Sequence, residues 1–233
     1  QTFELRYAGS YSENIDYVVG VSYFDQEMFV GERRDFGVAD IAGVTELSHD
    51  SIGIFAELDY LINDKTKITL GARWTEESKD VTFNAIGSCE KDFSSCSGPS
   101  SGLMRSGTYD DTTPKIAVTH SLNEDVNIYA SYTQGFRSGS FDARARTIDS
   151  FLNSQPGPEE VTSIELGLKS TFNDGKVLLN IALFQADYDD IQKLALEECD
   201  VNIDTCPSGR IQRLINAAKA TIEGIEIETK LSV

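Results

Sequence analysis

Cysteines, carboxylates and arginines are the residues here whose spacing suggests chemistry. The cysteines form two pairs of equal spacing, Cys89 with Cys96 and Cys199 with Cys206. Both pairs lie in polar segments and lack the Cys-x-x-Cys knuckle or nearby His of a zinc site. Two local disulfides are expected in preference to a metal site or free thiols, each closing a short loop worth roughly 2 to 3 kcal/mol in the chain-entropy model. Such bonds persist outside the reducing cytosol. The doublets Glu76-Glu77, Glu159-Glu160, Asp187 with Asp189-Asp190, and Glu197-Glu198 have the residue types of glycoside hydrolysis or a hard-cation site. Their place in loops and at strand ends favours a solvated acidic rim. There Asp187, Asp189 and Asp190 could meet divalent cations that bridge lipopolysaccharide. His49-Asp50-Ser51 has the residue types of a hydrolytic triad, but neighbours on an extended chain point in different directions and form no relay. His120 shares a parity with Ile116, Val118 and Leu122, which suits a neutral interface histidine. Arg33, Arg34, Arg137, Arg144 and Arg146 could meet an anionic solute or simply offset acidic loops. No catalytic residue, metal ligand or cofactor is assigned.

Composition limits the partners. Against 38 Asp and Glu the 233-residue chain sets 20 Lys and Arg, a formal charge of −18, so nucleic acid is excluded as a partner. No apolar run approaches the roughly 20 residues of a membrane-crossing helix.

Period-two alternation dominates, the mark of strands with two chemically different faces. Ile52, Ile54, Ala56, Leu58 and Tyr60 oppose Ser51, Gly53, Glu57 and Asp59, and Ile68, Leu70, Ala72 and Trp74 oppose Lys67, Thr69, Gly71, Arg73 and Thr75. Further strands are expected at Phe3–Gly9, Ile15–Asp25, Thr112–Leu122, Val126–Gly135, Val161–Phe172 and Val177–Tyr188, and in the C-terminal stretch from Thr221. Asn180 and Gln185 fall on opposite parities, which a bulge would reconcile. Short Asn-, Asp- and Gly-rich links, such as Asn63-Asp-Lys65 and Asn123-Glu-Asp125, alternate with connections of roughly two dozen residues or more. In an up-and-down sheet all long connections then share one edge and all turns the other, as in transmembrane β-barrels. The expected fold is therefore all-β, an antiparallel up-and-down transmembrane barrel segment of about eight or nine strands. Tyr60, Trp74, Tyr132, Phe136, Phe172 and Tyr188 suit interfacial girdles. Glu57, Asp59, Lys67, Arg73, Lys115, Glu165 and Lys169 would face the lumen and could pair there or contact a plug.

Particular strings add to this pattern. Ile128-Tyr-Ala-Ser-Tyr-Thr-Gln-Gly-Phe-Arg-Ser-Gly-Ser-Phe141, Pro158-Glu-Glu-Val-Thr-Ser-Ile-Glu-Leu-Gly-Leu-Lys169, Ala182-Leu-Phe-Gln-Ala-Asp-Tyr-Asp-Asp-Ile-Gln192 and Asn216-Ala-Ala-Lys-Ala-Thr-Ile-Glu-Gly-Ile-Glu-Ile-Glu228 follow one another. This order resembles the barrel domain of TonB-dependent outer-membrane receptors. The resemblance marks Gly135, Phe136, Arg137, Gly139, Glu165, Gly167, Lys169, Asn216, Lys219, Gly224 and Glu226 as motif positions. Read physically, Gly135 and Gly139 permit the turn out of a strand, and Gly224 relieves crowding or marks a bulge.

The resemblance implies that residues 1–233 are a partial barrel domain, cut within a sheet at its C-terminal end, with the plug domain absent. It implies a bacterial outer-membrane receptor that takes up a scarce solute, such as a ferric siderophore, with energy from the TonB complex reaching it through the plug. Outer-membrane lipid and lipopolysaccharide would surround it. A complete small barrel with a structural or adhesive role, and a secreted acidic β-sandwich hydrolase, stand as alternatives.

Overall fold

The computed structural model describes residues 1–35, 40–90, 92–94, 96–97, 102–145, 148–173, 175–198, 200 and 209–232. The long strands are β1 (Thr2–Ser12), β2 (Ile15–Asp35), β3 (Asp40–Asn63), β4 (Thr66–Cys89), β6 (Leu103–Ser121), β7 (Val126–Arg137), β8 (Glu159–Phe172), β9 (Val177–Glu198) and β10 (Arg210–Leu231). They form one sheet in chain order, and every neighbouring pair is antiparallel. A two-residue strand, β5 (Cys96–Ser97), pairs with the end of β4, and one short helix, α1 (Ile148–Asn153), lies between β7 and β8. Among the described residues β1 and β10 each pair on one side only. The sheet is therefore open, which corrects the alternative of a small barrel closed on itself. One continuous sheet, rather than two stacked sheets, likewise removes the sandwich.

Register carries the alternation across the sheet. Ile54 faces Trp74, Ala56 faces Ala72, Leu58 faces Leu70 and Tyr60 faces Ile68, while Leu70 continues to Ile116 and Ile68 to Val118. Ile52, Ile54, Leu58, Tyr60, Leu70, Ile116, Val118, Ile164 and Leu166 are exposed, so one face is a broad apolar band. Such a surface is costly in water and suits hydrocarbon. The other face carries the intervening polar residues.

Length is where the structure departs from the sequence reading. β3 and β4 each run 24 residues, roughly 80 Å at strand rise, more than twice the 9 to 11 residues that span a bilayer. Most of the stretches read as long connections are therefore strand; the one between β7 and β8 is not. β2 runs on to Asp35 and β3 begins at Asp40. Beyond the band no hydrocarbon selects apolar residues on alternate positions, so the period disappears while the ladder of backbone hydrogen bonds continues. The bulge also lies elsewhere. The β8–β9 and β9–β10 ladders are unbroken past Asn180 and Gln185, and the shifts fall between Asn216 and Ala220, opposite Tyr188–Gln192. Gln185 shares the outer face with Leu183 and donates to Asp187 at 2.8 Å, which marks the upper edge of the band. Tyr188 lies on the inner parity with Gly167 and Glu165, so it is no girdle residue.

The tight turns share one end of the sheet and follow their chemistry. Asn63 Oδ1 accepts from the Lys65 amide at 3.0 Å and Asn123 Oδ1 from the Asp125 amide at 2.9 Å. Asn173 and Gly175 take φ of 56° and 83°.

Candidate functional site

The site lies on the inner face, beyond the apolar band, where residues 138–145 and 148–158 fold back against the wall as a strap. Its apolar anchor is small. Phe151 stacks on Phe83 with ring centroids 4.9 Å apart, and Val81, Phe141 and Ala145 complete a buried cluster packed by Leu103. Burying two aromatic side chains fixes a segment that otherwise has little regular structure.

Polar contacts tie the strap to strands far apart in the sheet. On β4, Lys79 Nζ donates to Ser138 Oγ and, at 3.0 Å, to the Gly139 carbonyl. Ser138 Oγ donates to Glu77 Oε2, which also lies 3.5 Å from Lys79 Nζ and 3.1 Å from His49 Nε2 on β3. On β6, Arg105 donates to the Phe151 and Leu152 carbonyls and to Gln155, and its guanidinium sits 5.5 Å from the Phe141 ring. On β9, Gln192 Nε2 donates to the Ser138 and Gly157 carbonyls at 2.9 and 3.1 Å. On β10, Asn216 Oδ1 accepts from the Gly157 amide at 2.7 Å, and its Nδ2 donates to the Asp190 carbonyl at 2.6 Å. One segment thus touches β4 and β10, which the sheet order separates by four strands, so the sheet curls around it.

Burial and charge work against each other at this latch. Glu77 and Lys79 lie past Trp74 and hence beyond the band. Burial pushes the Glu77 carboxyl up, but the Ser138 hydroxyl, Lys79 and His49 together hold it below the ordinary glutamate range. Burial lowers the Lys79 ammonium, against the pull of Glu77. Ser138 is buried, and its hydroxyl is committed to Glu77 and Lys79. His49 bonds Glu77, while Asp50 lies on the opposite parity facing Asp25, so the triplet builds no relay. Among the described residues no group of His, Cys, Asp and Glu is arranged to hold a metal ion. The arrangement can position a strap and present polar surface.

Within the band the inner wall is a set of short pairings. Lys67 meets Asp59 at 2.9 Å and Lys115 meets Glu57 at 2.7 Å. Tyr129 donates to Glu165, and Lys169 Nζ stands 5.2 Å from the Tyr129 ring. Gly167 is the direct partner of Tyr129 and Gly224 of Phe184, so each glycine lets a facing ring lie flat. Gly139 does the same for Tyr109. Glu226 lies on the inner parity opposite Ala182, and Lys219 meets Asp189 at 2.5 Å. Gly135 faces Val161, and Phe136 lies opposite Glu160. Of the arginines weighed for an anionic solute, Arg144 pairs with Glu32 at 2.8 Å and Arg137 lies 4.0 Å from Glu159. Arg33 is exposed opposite Ala42. The Arg34 side chain, Arg146, Cys199 and Cys206 lie outside the described residues, as do the Cys89 and Cys96 side chains, although the backbone register sets Cys89 opposite Cys96.

Lys79, Ser138, Arg105 and Gln192 escape the sequence reading because each is a single polar residue in a polar stretch. The available signal is Phe151-Leu152, an apolar pair isolated in such a stretch.

Comparison with known proteins agrees with this geometry. Residues 1–232 match the model of a family described as TonB dependent receptor-like, beta-barrel. The ferric-pyoverdine 358 receptor of Pseudomonas putida is 23% identical over 175 residues, which are 74% of this chain and 19% of the receptor. The crystal structure of the ferric yersiniabactin uptake receptor of Yersinia pestis superposes with a TM-score of 0.74 at 17% identity, over 99% of this chain and 32% of that one. A copper transporter superposes at 0.64 with 15% identity, over 100% of this chain and 35% of that one. The chain thus spans about a fifth to a third of the length of the proteins it matches.

Proposed function

The chain belongs to the TonB-dependent receptor-like β-barrel family, and from that premise we propose that it forms part of the wall of an outer-membrane receptor for energised solute uptake. Solute is captured at the outer opening and released inward by movement of a plug that lies outside this sequence, coupled to the TonB complex. No bond is made or broken by the protein.

The observation that carries this reading is the division of the sheet. An exposed apolar band is joined by tight turns at one end, and at the other the strands run on past the band and enclose a latched strap. A ferric siderophore is the proposed solute class, supported by the relatives named for ferric pyoverdine and ferric yersiniabactin uptake. Membrane lipid meets the band and lipopolysaccharide the outer rim. The test is deletion of the full gene in its host, followed by labelled uptake from a panel of ferric chelates and copper. We expect loss of one ferric chelate, restored by the intact gene only when the energy-coupling protein is present. Unchanged ferric uptake with loss of copper would move the assignment to a different cargo.

The two cysteine pairs are proposed as disulfides, Cys89–Cys96 with support from the facing backbone register. Mass spectrometry after alkylation should find these four thiols modified only when reductant is added first.

A further inference from the structure

The outer face holds a hollow within the apolar band, and small side chains make it. Ala56 faces Ala72 and Ala72 faces Pro114, so this row lies low between the Ile54–Trp74 row above and the Leu58–Leu70–Ile116 row below. The hollow measures about 790 Å³, within the roughly 300 to 1,000 Å³ of small-molecule sites, and Leu5, Tyr7, Val19 and Trp74 help to wall it. Thr112 stands at its upper end, facing Trp74. Two residues farther along the same strands, roughly 7 Å on, Glu76 faces Asp110. Like charges set opposite each other in a sheet destabilise it. Among the described residues neither carboxylate has a hydrogen bond or an ion pair. From the turns up to Phe29, Glu46, Thr82 and Met104, the outer parity of β2, β3, β4 and β6 carries no Lys or Arg.

We propose that this hollow seats an acyl chain of a membrane lipid whose head group carries a primary amine. The proposal rests on the reading of the chain as outer-membrane wall and narrows the lipid that meets it. Position selects the chain. The hollow opens on the lipid-facing band, so hydrocarbon fills it, and close contact with the walling side chains holds a seated acyl chain by dispersion. Charge selects the head. A chain that runs up past Trp74 and Thr112 brings its head group to Glu76 and Asp110. There an ammonium takes charge-assisted hydrogen bonds from both sides and relieves the repulsion within the pair. A phosphate head without an amine meets two carboxylates and no cation. Below them the indole N–H of Trp74 and the Thr112 hydroxyl offer donors for the ester oxygens, as aromatic residues do where one end is apolar and the other wet.

Native mass spectrometry of the full-length receptor tests this, with ethanolamine and glycerol phospholipids of identical chains as probes. We expect the ethanolamine lipid to be retained with roughly tenfold higher affinity than the glycerol lipid. Filling the hollow with A72F should weaken its retention about tenfold, with heat-modifiable migration unchanged. E76Q combined with D110N should keep the chain but erase the preference, and this variant decides the matter even where A72F does not fold. An unchanged preference in E76Q with D110N would overturn the proposal. Equal retention of both lipids in magnesium, lost on chelation, would overturn it in favour of a cation-bridged phosphate. Receptor dimers that A72F dissolves would overturn it in favour of a second copy. A wild-type receptor absent from the outer-membrane fraction would instead sink the membrane-wall reading beneath it.

Discussion

At the scale of single residues, glycine on the inner face does its work through the residue opposite. A Cβ on Gly167 would lie 2.3 Å from Tyr129 Cζ and 2.4 Å from its hydroxyl oxygen. Tyr129 lies flat there and donates to Glu165, under the ammonium of Lys169. Gly20 beneath Phe55 and Gly224 beneath Phe184 repeat the device. A methyl group at 167 must lift the ring and stretch the Tyr129–Glu165 bond, so we expect G167A to destabilise the intact receptor by about 1 to 3 kcal/mol. Gly71 is the internal contrast, because a Cβ there meets nothing closer than 3.5 Å. G71A should be neutral or stabilise by up to about 1 kcal/mol, since strand glycine carries an entropic cost without a contact to protect. Denaturant midpoints of the two variants in detergent check both; equal shifts would refute the role given to Tyr129.

At the scale of elements, the sequence is legible where the surroundings impose a rule and silent elsewhere. Ile52 to Tyr60 alternates because hydrocarbon meets every second side chain, and Asn63 and Asn123 mark turns because their side chains bond their own backbone. Asp25 to Asp35 continues as strand with no such rule, since water touches both faces above the band, so its ladder is invisible in residue types. The strap is hidden for another reason: its anchor is two aromatic side chains and its latches are single residues scattered over β4, β6, β9 and β10. Its attachment should depend on pH through Glu77. The folded carboxyl titrates below the ordinary value of 4.5, so its contribution is complete above that pH and is lost as pH falls through the lower folded value. Hydrogen exchange of residues 138–145 and 148–158 should therefore rise on acidification below pH 4.5 and return on neutralisation. E77Q should raise exchange already at neutral pH, because Lys79 loses its charged partner, and should flatten the acid step. A step of wild-type size in E77Q would assign the pH dependence to other carboxylates, such as Glu32 beneath Arg144.

At the scale of the molecule, what the sheet leaves unpaired at its edges determines how this stretch of chain can exist. β1 offers one edge and β10 the other, 11 and 22 residues long, and among the described residues neither finds a second strand. Each carries unpaired backbone groups that hydrocarbon cannot satisfy, at several kcal/mol apiece. Such edges are tolerable only when further strands continue the ladder, so the edge, more than any side chain, makes this sheet dependent on other chain. Expressed and refolded alone, residues 1–233 should form large oligomers by edge pairing, with no heat-modifiable band and no solute flux above empty liposomes. Adding the remaining barrel strands as a separate polypeptide should suppress the oligomers and restore heat modifiability, because the edges of β1 and β10 then have partners of the right length. Introducing proline into β10 at Ile225 separates edge pairing from simple stickiness of the apolar band. It removes one ladder donor from the free edge while leaving the band nearly intact, so the oligomers and the rescue by the second polypeptide should both weaken, whereas undiminished oligomers would assign them to the band. A monomeric, heat-modifiable species formed by residues 1–233 alone would mean that the edges find each other, and the open sheet would then not be the form taken in a membrane.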